Sequence, residues 1–266
     1  MYKFDKINHI HELYGKPLMG VTTILSVISK PALIQWSANM ACDYIGGYIE
    51  KLIEESTEDE YEPMLSITSD EGIEEIRKKI KEAKTAHRIK KEKAGDWGTV
   101  VHKKVELWIT EDKEYKVDEV IDLCSNELKS YIRLTEDEKK YVDIAFNNFK
   151  KWSVENKVKF IESEKNLYSK EMWVGGIVDL VFEMDGKKYI GDIKTSSGIY
   201  DEAFFQMGAY HLMLEEMGEG EGIEGYIVIN LKKDGKIDMK MADNLKINQE
   251  AFKHALGLYK IKQTLK

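Results

Sequence analysis

Two aspartates lie near a predicted hairpin turn, in positions that suit the binding of a divalent cation. Asp185-Gly186 is a strong two-residue turn signal between two runs of alternating apolar and polar residues. Such a turn pairs Met184 with Lys187, and counting outward along both strands places Asp179 opposite Asp192. Directly opposed residues have Cβ atoms about 4.5–5.5 Å apart, where two negative charges repel each other.

A cation between these carboxylates would convert their repulsion into coordination, and oxygen ligands suit Mg²⁺ or Mn²⁺. Lys194 follows Asp192 by two residues, so it points to the same face and could stabilise a developing negative charge or orient a water. The alternative is that both aspartates lie on a solvated face. Val181 and Ile190 are expected on that face as well, which favours a metal site.

The segment from Gly175 to Lys194 resembles the PD-(D/E)XK nuclease superfamily. It is most similar to the RecB-like exonuclease branch, which includes phage and mitochondrial-maintenance exonucleases. In that branch an aspartate after a glycine-rich strand start and an Asp-x-Lys on the next strand bind metal and carry catalysis. The resemblance implies these roles for Asp179, Asp192 and Lys194, with the carbonyl of Ile193 as a further metal ligand.

Three other motifs of the branch occur in the expected order. Gly98 to His102 matches its Gly-Thr-x-x-His, whose histidine is a metal ligand in relatives, and Gln206 to Tyr210 matches its Gln-x-x-x-Tyr. An upstream glutamate that often completes the site is matched best by Glu164, with Glu162 as the rival. The resemblance implies that the glutamine and tyrosine contact the site or the substrate backbone.

Each of these residues also has a structural interpretation. His102 by itself could be a core histidine, and Glu106, one helical turn later, could orient its imidazole. Gln206 and Tyr210 share a helix face and could simply pack the helix against a sheet. The ordered set of motifs favours the functional interpretation.

The chain departs from the superfamily pattern at two positions, with Val178 where the name-giving proline stands and Asp192 where glutamate is common. Two cysteines, Cys42 and Cys124, cannot build the four-cysteine iron–sulfur cluster of some relatives. We therefore expect one or two Mg²⁺ or Mn²⁺ ions and no iron–sulfur cluster.

The formal charge of −8 on 266 residues argues at first against a nucleic-acid partner. The charge is unevenly distributed, because Glu50 to Glu62 holds seven acids and one lysine, whereas Glu71 to Gly95 holds nine basic residues and five acids. The first segment is typical of a solvated loop or helix end. The second is typical of a helix that follows a phosphate backbone or, alternatively, of a solvated lysine-rich face.

The apolar pattern changes near residue 155. Residues 1–155 are expected to be mainly helical, to pack over the site and to supply the histidine motif, and residues 156–266 to form the nuclease core, in one structural unit. The predicted fold class is mixed α/β, a restriction-endonuclease-like central mixed β-sheet flanked by helices with a large helical N-terminal half. The expected elements are helices near 21–25, 33–48, 71–95, 201–217 and 248–265, and strands near 159–169, 173–184, 187–195, 226–232 and 236–241.

The resemblance implies a divalent-metal-dependent DNA nuclease, most simply an exonuclease acting on DNA ends or single strands in replication, recombination or repair. A structure-specific endonuclease of the same superfamily and a catalytically idle DNA-binding or complex-building module are the alternatives. The expected partner is DNA, with a recombinase or a single-strand-binding protein as a further candidate. We expect a cytoplasmic protein without membrane association, because the chain has no long apolar run and no apolar signal-peptide core.

Overall fold

A computed structural model describes residues 1–28, 30–58 and 69–265. Within these ranges the chain forms nine strands and seven helices. In chain order they are β1 (Tyr2–Asp5), β2 (Ile10–Leu13), β3 (Lys16–Pro17), β4 (Met19–Gly20), α1 (Val21–Leu25), α2 (Pro31–Glu58), α3 (Asp70–Glu111), α4 (Val117–Leu128), α5 (Glu136–Glu155), β5 (Lys159–Ser169), β6 (Val174–Met184), β7 (Lys187–Lys194), α6 (Asp201–Glu216), β8 (Ile223–Leu231), β9 (Ile237–Ala242) and α7 (Leu245–Thr264).

The larger sheet is mixed and six-stranded, with the order β4-β6-β7-β8-β9 and β5 paired to β6 as well. β6 runs antiparallel to β5 and β7, while β7 and β8 are parallel and β8 and β9 antiparallel. Each antiparallel pair reflects a short connection, whereas the parallel β7–β8 pair requires the crossover through α6. β4 also runs parallel to β6. The mixed α/β fold class, with a central sheet flanked by helices, is confirmed.

The hairpin register that the Asp-Gly turn predicts is also confirmed. β6 and β7 pair from Met184–Lys187 to Leu180–Gly191, and both turn residues have positive φ, as a tight hairpin requires. Continued outward, the same counting places Asp179 opposite Asp192 and Val178 opposite Ile193, but the observed pairing ends at Leu180–Gly191. The expected facing of Val178 and Ile193 is wrong, because these two side chains belong to different apolar clusters on opposite faces of the sheet. The register cannot continue unchanged past Leu180, because the two strands separate there.

The change of register past Leu180 involves both β7 and β5, the two strands beside this part of β6. On β5, Ser163 pairs with Leu180 and Lys165 with Val178, whereas Glu164 between them has a left-handed φ of 49°. A residue in this conformation interrupts the regular alternation of a strand. The side chains of β6 therefore change face at Asp179, the residue that lies opposite Glu164.

Two apolar clusters cover the two faces of the sheet. One joins Val181 and Ile190 to α1, α6 and α7; the other joins Leu180 and Phe182 to α4, α5 and the part of α3 that begins at Trp97. Thr135 caps α5 by accepting the backbone N–H of Glu138, whose carboxylate accepts the N–H of Thr135 in return. This three-layer arrangement holds β6 and β7 between helices.

The N-terminal residues differ from the helical pattern that we expected. α1 forms as predicted, but residues 2–20 form four short strands, of which β1, β2 and β3 make a separate three-stranded sheet. Strands of two to four residues are too short for their alternation to be recognised. Of the acidic segment Glu50 to Glu62, residues up to Glu58 belong to α2, and the remainder lies outside the described residues.

The chain divides into two compact units. The first comprises Met1–Ile28 and Asp96–Lys266 and contains both sheets; the second comprises Ser29–Gly95 and contains α2 and the beginning of α3. The change of pattern near residue 155 lies inside the first unit, between α5 and β5. Across the ranges that the structure describes, no helix has the length and apolar character needed to cross a bilayer.

Candidate metal centre

The candidate metal centre lies at the point where β6 and β7 diverge. β5 occupies one edge of β6 from Val174 to Glu183, so β4 and β7 share the other edge, and residues 176–179 pair with neither of them. Asp179 lies at this fork, and its Oδ2 accepts the backbone N–H of Ile193 at 2.8 Å. The Asp179 carboxylate thus accepts the N–H that a backbone carbonyl of a neighbouring strand would otherwise accept, and it links β6 to β7 where they diverge.

Asp192 and Lys194 lie beyond the fork on β7. Asp192 is almost fully buried, with 1% of its surface exposed, and its Oδ1 accepts a hydrogen bond from Lys194 Nζ at 2.7 Å. Its second oxygen, Oδ2, is buried and has no hydrogen-bond partner among the residues that the structure describes. A buried carboxylate oxygen without a partner is costly, unless a cation or water compensates it.

His102 brings α3 to the same place. Its Nδ1 lies 3.5 Å from Glu164 Oε1 and 3.6 Å from Asp179 Oδ2. One ligand atom from each of these three side chains falls within 4.8 Å of the others. Glu162, the rival upstream acid, instead pairs with Lys165 at 2.7 Å. The irregular backbone at Glu164 therefore places Glu164, and not Glu162, beside His102.

Gly98 explains how the helix comes so close to the sheet. A Cβ at this position would lie 2.9 Å from the hydroxyl oxygen of Thr195, directly after β7. Only glycine allows this approach without displacement of the helix, the strand end or the Thr195 side chain. The next turn of α3 carries His102, so the glycine of the motif acts through helix position rather than through chemistry of its own.

Gln206 and Tyr210 lie on α6. Gln206 Nε2 donates to the Tyr210 hydroxyl at 2.6 Å, and Tyr210 is buried against β6, where a Cβ on Gly176 would lie 2.6 Å from its ring. Glu106, which could have oriented His102, instead pairs with Lys103 at 3.0 Å.

The buried charges shift one another's ionisation. Burial raises the pKa of Asp192 to about 6, with the charge of Asp179 adding to burial and Lys194 opposing it. Burial likewise raises the pKa of Asp179. Burial alone would lower the pKa of His102, but the charges of Asp179 and Glu164 outweigh it and raise the pKa to about 9.

The pKa values of Lys194 and Tyr210 both lie above the neutral range. Burial would lower the pKa of Lys194, yet the charges of Asp192 and Asp179 hold that pKa above its usual value. Burial and the nearby Asp179 raise the pKa of Tyr210. Lys194 is therefore a cation and Tyr210 a neutral hydroxyl near pH 7.

Asn230 is a buried polar residue that sequence reasoning missed. It lies on β8 opposite Lys194; its Oδ1 accepts the backbone N–H of Ser196 and its Nδ2 donates to the Ser196 carbonyl, both at 3.1 Å. The pair of bonds holds the connection between β7 and α6. An asparagine inside the otherwise apolar run of β8 was the available signal, since buried amides need specific partners.

The assembled donors fit a divalent cation. His102, Glu164 and Asp179 converge, Asp192 presents an oxygen without a partner, and a cation would offset the accumulated negative charge. One imidazole and several carboxylates suit Mn²⁺ and Mg²⁺. The main-chain carbonyl of Ile193 stays a predicted ligand.

Comparisons with known proteins show which family the chain belongs to. No curated protein matches the chain significantly. The crystal structure of LHK-Exo in complex with dAMP is similar at 10% identity and a TM-score of 0.34, covering 64% of this chain and 89% of that one. The crystal structure of SSO0001 is similar at 12% identity and a TM-score of 0.30, covering 60% and 84%. The family model of the PD-(D/E)XK nuclease superfamily matches residues 73–264, and the chain belongs to that superfamily.

Proposed function

We propose that this nuclease is a Mg²⁺- or Mn²⁺-dependent deoxyribonuclease that acts as an exonuclease on DNA ends or single strands. The observation that carries the proposal is the convergence of His102, Glu164 and Asp179 beside the buried Asp192–Lys194 pair. The RecB-like order of the sequence motifs supports exonuclease activity. Replication, recombination or repair would supply the DNA, where a recombinase or a single-strand-binding protein could cooperate.

In this proposal His102, Glu164, Asp179, Asp192 and the Ile193 carbonyl hold one or two cations. A bound cation supplies Lewis-acid stabilisation of phosphate charge and lowers the pKa of water.

The cationic Lys194, held by Asp192, lies beside these donors and is placed to position the nucleophilic water or neutralise charge on the phosphate. Asp179 fixes the spacing of the strands through the N–H of Ile193. Gln206 and Tyr210 present an amide and a neutral hydroxyl, which suit hydrogen bonding to a DNA backbone.

The test uses end-labelled single- and double-stranded DNA, linear and circular, with Mn²⁺, with Mg²⁺ and with a chelator. We expect metal-dependent release of nucleotides from linear DNA only. Lys194→Ala should lower the rate by at least about 100-fold, whereas Lys187→Ala, an exposed lysine on the same strand, should not. Cleavage of circular DNA would show an endonuclease. Absence of both cleavage and Mn²⁺ binding would refute the metal-dependent nuclease.

A further inference from the structure

Basic side chains of the second unit form a row along α3. Arg77, Lys81, Lys84, Arg88 and Lys91 recur at alternating intervals of four and three residues, and all five are exposed. At about 100° per residue they fall within an arc of about 80° on the helix. We call these five residues the basic row.

Acids of the same helix do not neutralise the row. Glu82 binds Lys79 and the hydroxyl of Tyr44. The arginines have exposed partners at 3.5 and 3.7 Å, and ion pairs of this kind are weak.

The three lysines of the row carry the least compensated charge. Lys81, Lys84 and Lys91 have no ion pair with any other residue in the described part of the chain. The row is therefore a straight line of positive charge.

We propose that the basic row binds the backbone of a single DNA strand, an inference that rests on the proposed function and names a binding surface for it. From Arg77 to Lys91 the row spans about 21 Å at 1.5 Å per residue. A duplex completes a turn in about 34–36 Å, so over this length either of its strands winds more than halfway around the axis and leaves a straight row. A flexible single strand can follow the row throughout.

Binding through the row should be independent of base sequence and sensitive to salt. Lysine contacts phosphate as a point charge, and phosphate contacts position a nucleic acid without reading its bases. Each phosphate neutralised on a single strand contributes about −0.7 to the slope of log affinity against log salt.

The chain itself offers a matched control. Lys78, Lys90 and Lys93 are exposed lysines of the same helical segment, but they lie on other sides of the helix, at least about 60° from the row. Alanine at these three positions removes the same charge as alanine at Lys81, Lys84 and Lys91.

The experiment measures binding of the full chain to a labelled oligonucleotide of mixed sequence, single-stranded or duplex, between 50 and 200 mM salt with a chelator to prevent cleavage. We expect the triple variant of the row to bind the single strand at least about tenfold more weakly, with a salt slope smaller by about 2. The control triple should bind within about twofold of the wild type.

Equal weakening by both triples would overturn the proposal, as would no weakening by either. Tighter duplex binding that depends on the row would also overturn it, and so would a wild-type preference for anionic lipid vesicles over single-stranded DNA. Because binding is measured without cleavage, a protein that binds through the row but never hydrolyses DNA would refute the proposed function alone. If the protein is an active nuclease but the triple variant of the row binds DNA as well as the wild type does, only the proposed role of the basic row is refuted.

Discussion

Replacing Gly98 with alanine tests whether the close approach of α3 to the end of β7 sets the geometry of the metal centre. The new Cβ would lie 2.9 Å from the Thr195 hydroxyl oxygen, whereas ordinary contacts are 3.4–4 Å. The two elements must then separate by about 0.5 Å, because the short, β-branched threonine side chain has little freedom to move away. His102 lies one turn along the helix and would move with it.

A displacement of this size matters because metal and catalytic sites require positional accuracy of about 0.5 Å. We expect Mn²⁺ affinity and nuclease activity to fall about 10- to 100-fold, as they do when a supporting contact of a metal ligand is lost. The change should not act through general destabilisation, since alanine is favoured over glycine in a helix interior by up to about 1 kcal/mol.

Calorimetric titration with Mn²⁺, together with thermal unfolding, measures both effects. Gly95→Ala is the control, because a Cβ there meets no atom within 4 Å; its metal affinity should equal that of the wild type. Adding Thr195→Ala to Gly98→Ala removes the obstructing oxygen and should restore most of the affinity. Normal Mn²⁺ binding by Gly98→Ala, or no recovery of affinity on adding Thr195→Ala, would refute a role of this contact in the metal centre.

Three further predictions follow from buried or partly buried polar groups. Asn230→Ala should lower nuclease activity about tenfold with metal affinity less affected, because the N–H and the carbonyl of Ser196 both lose their partner. Asn230→Asp should restore none of this activity, because its second oxygen would face the Ser196 carbonyl; wild-type activity in Asn230→Ala would contradict the positioning role. Glu164→Gln should weaken Mn²⁺ binding, measured by calorimetry, at least about tenfold, and Glu162→Gln by less than about twofold. A larger loss of Mn²⁺ affinity in Glu162→Gln would contradict the choice of Glu164 as the ligand. Burial lowers the pKa of His11 to about 4 from a usual value of 6.5, so the unfolded state takes up a proton more readily than the folded state. The free energy of unfolding should therefore fall, by on the order of 2 kcal/mol, as the pH drops from 6.5 to 4. Chemical denaturation at several pH values should show a smaller loss in His11→Gln than in the wild type, and an unchanged loss in the exposed control His254→Gln.

The hairpin register could be predicted because it depends on local chemistry. Two residues able to adopt positive φ set the turn, and the alternation of side chains extends the pairing outward from it. The prediction failed beyond Leu180, where β7 leaves β6 and the backbone at Glu164 interrupts the alternation. Neither event has a signal within the hairpin, since both depend on neighbouring strands.

The candidate site was likewise predicted in part from the sequence. Motif order placed His102, Asp179, Asp192 and Lys194 in one centre, and the structure brings all four side chains together. The motif is matched best by Glu164, but spacing left Glu162 as a rival because both precede β6 on the same strand.

Residue types and their spacing along this chain indicated the hairpin, the identity of the chemical groups and five of the helices, because these depend on neighbours in sequence. α4 and α5 were not predicted individually, since they lie in a region expected only to be mainly helical. Only the tertiary structure decided that Glu164 faces His102, that Gly98 meets Thr195 and that Asn230 holds the turn after β7. These contacts join residues far apart in the chain, so they arise from how helices and sheet pack. Packing also decides which carboxylate loses its water, and it leaves one buried oxygen of Asp192 without a hydrogen-bond partner among the described residues.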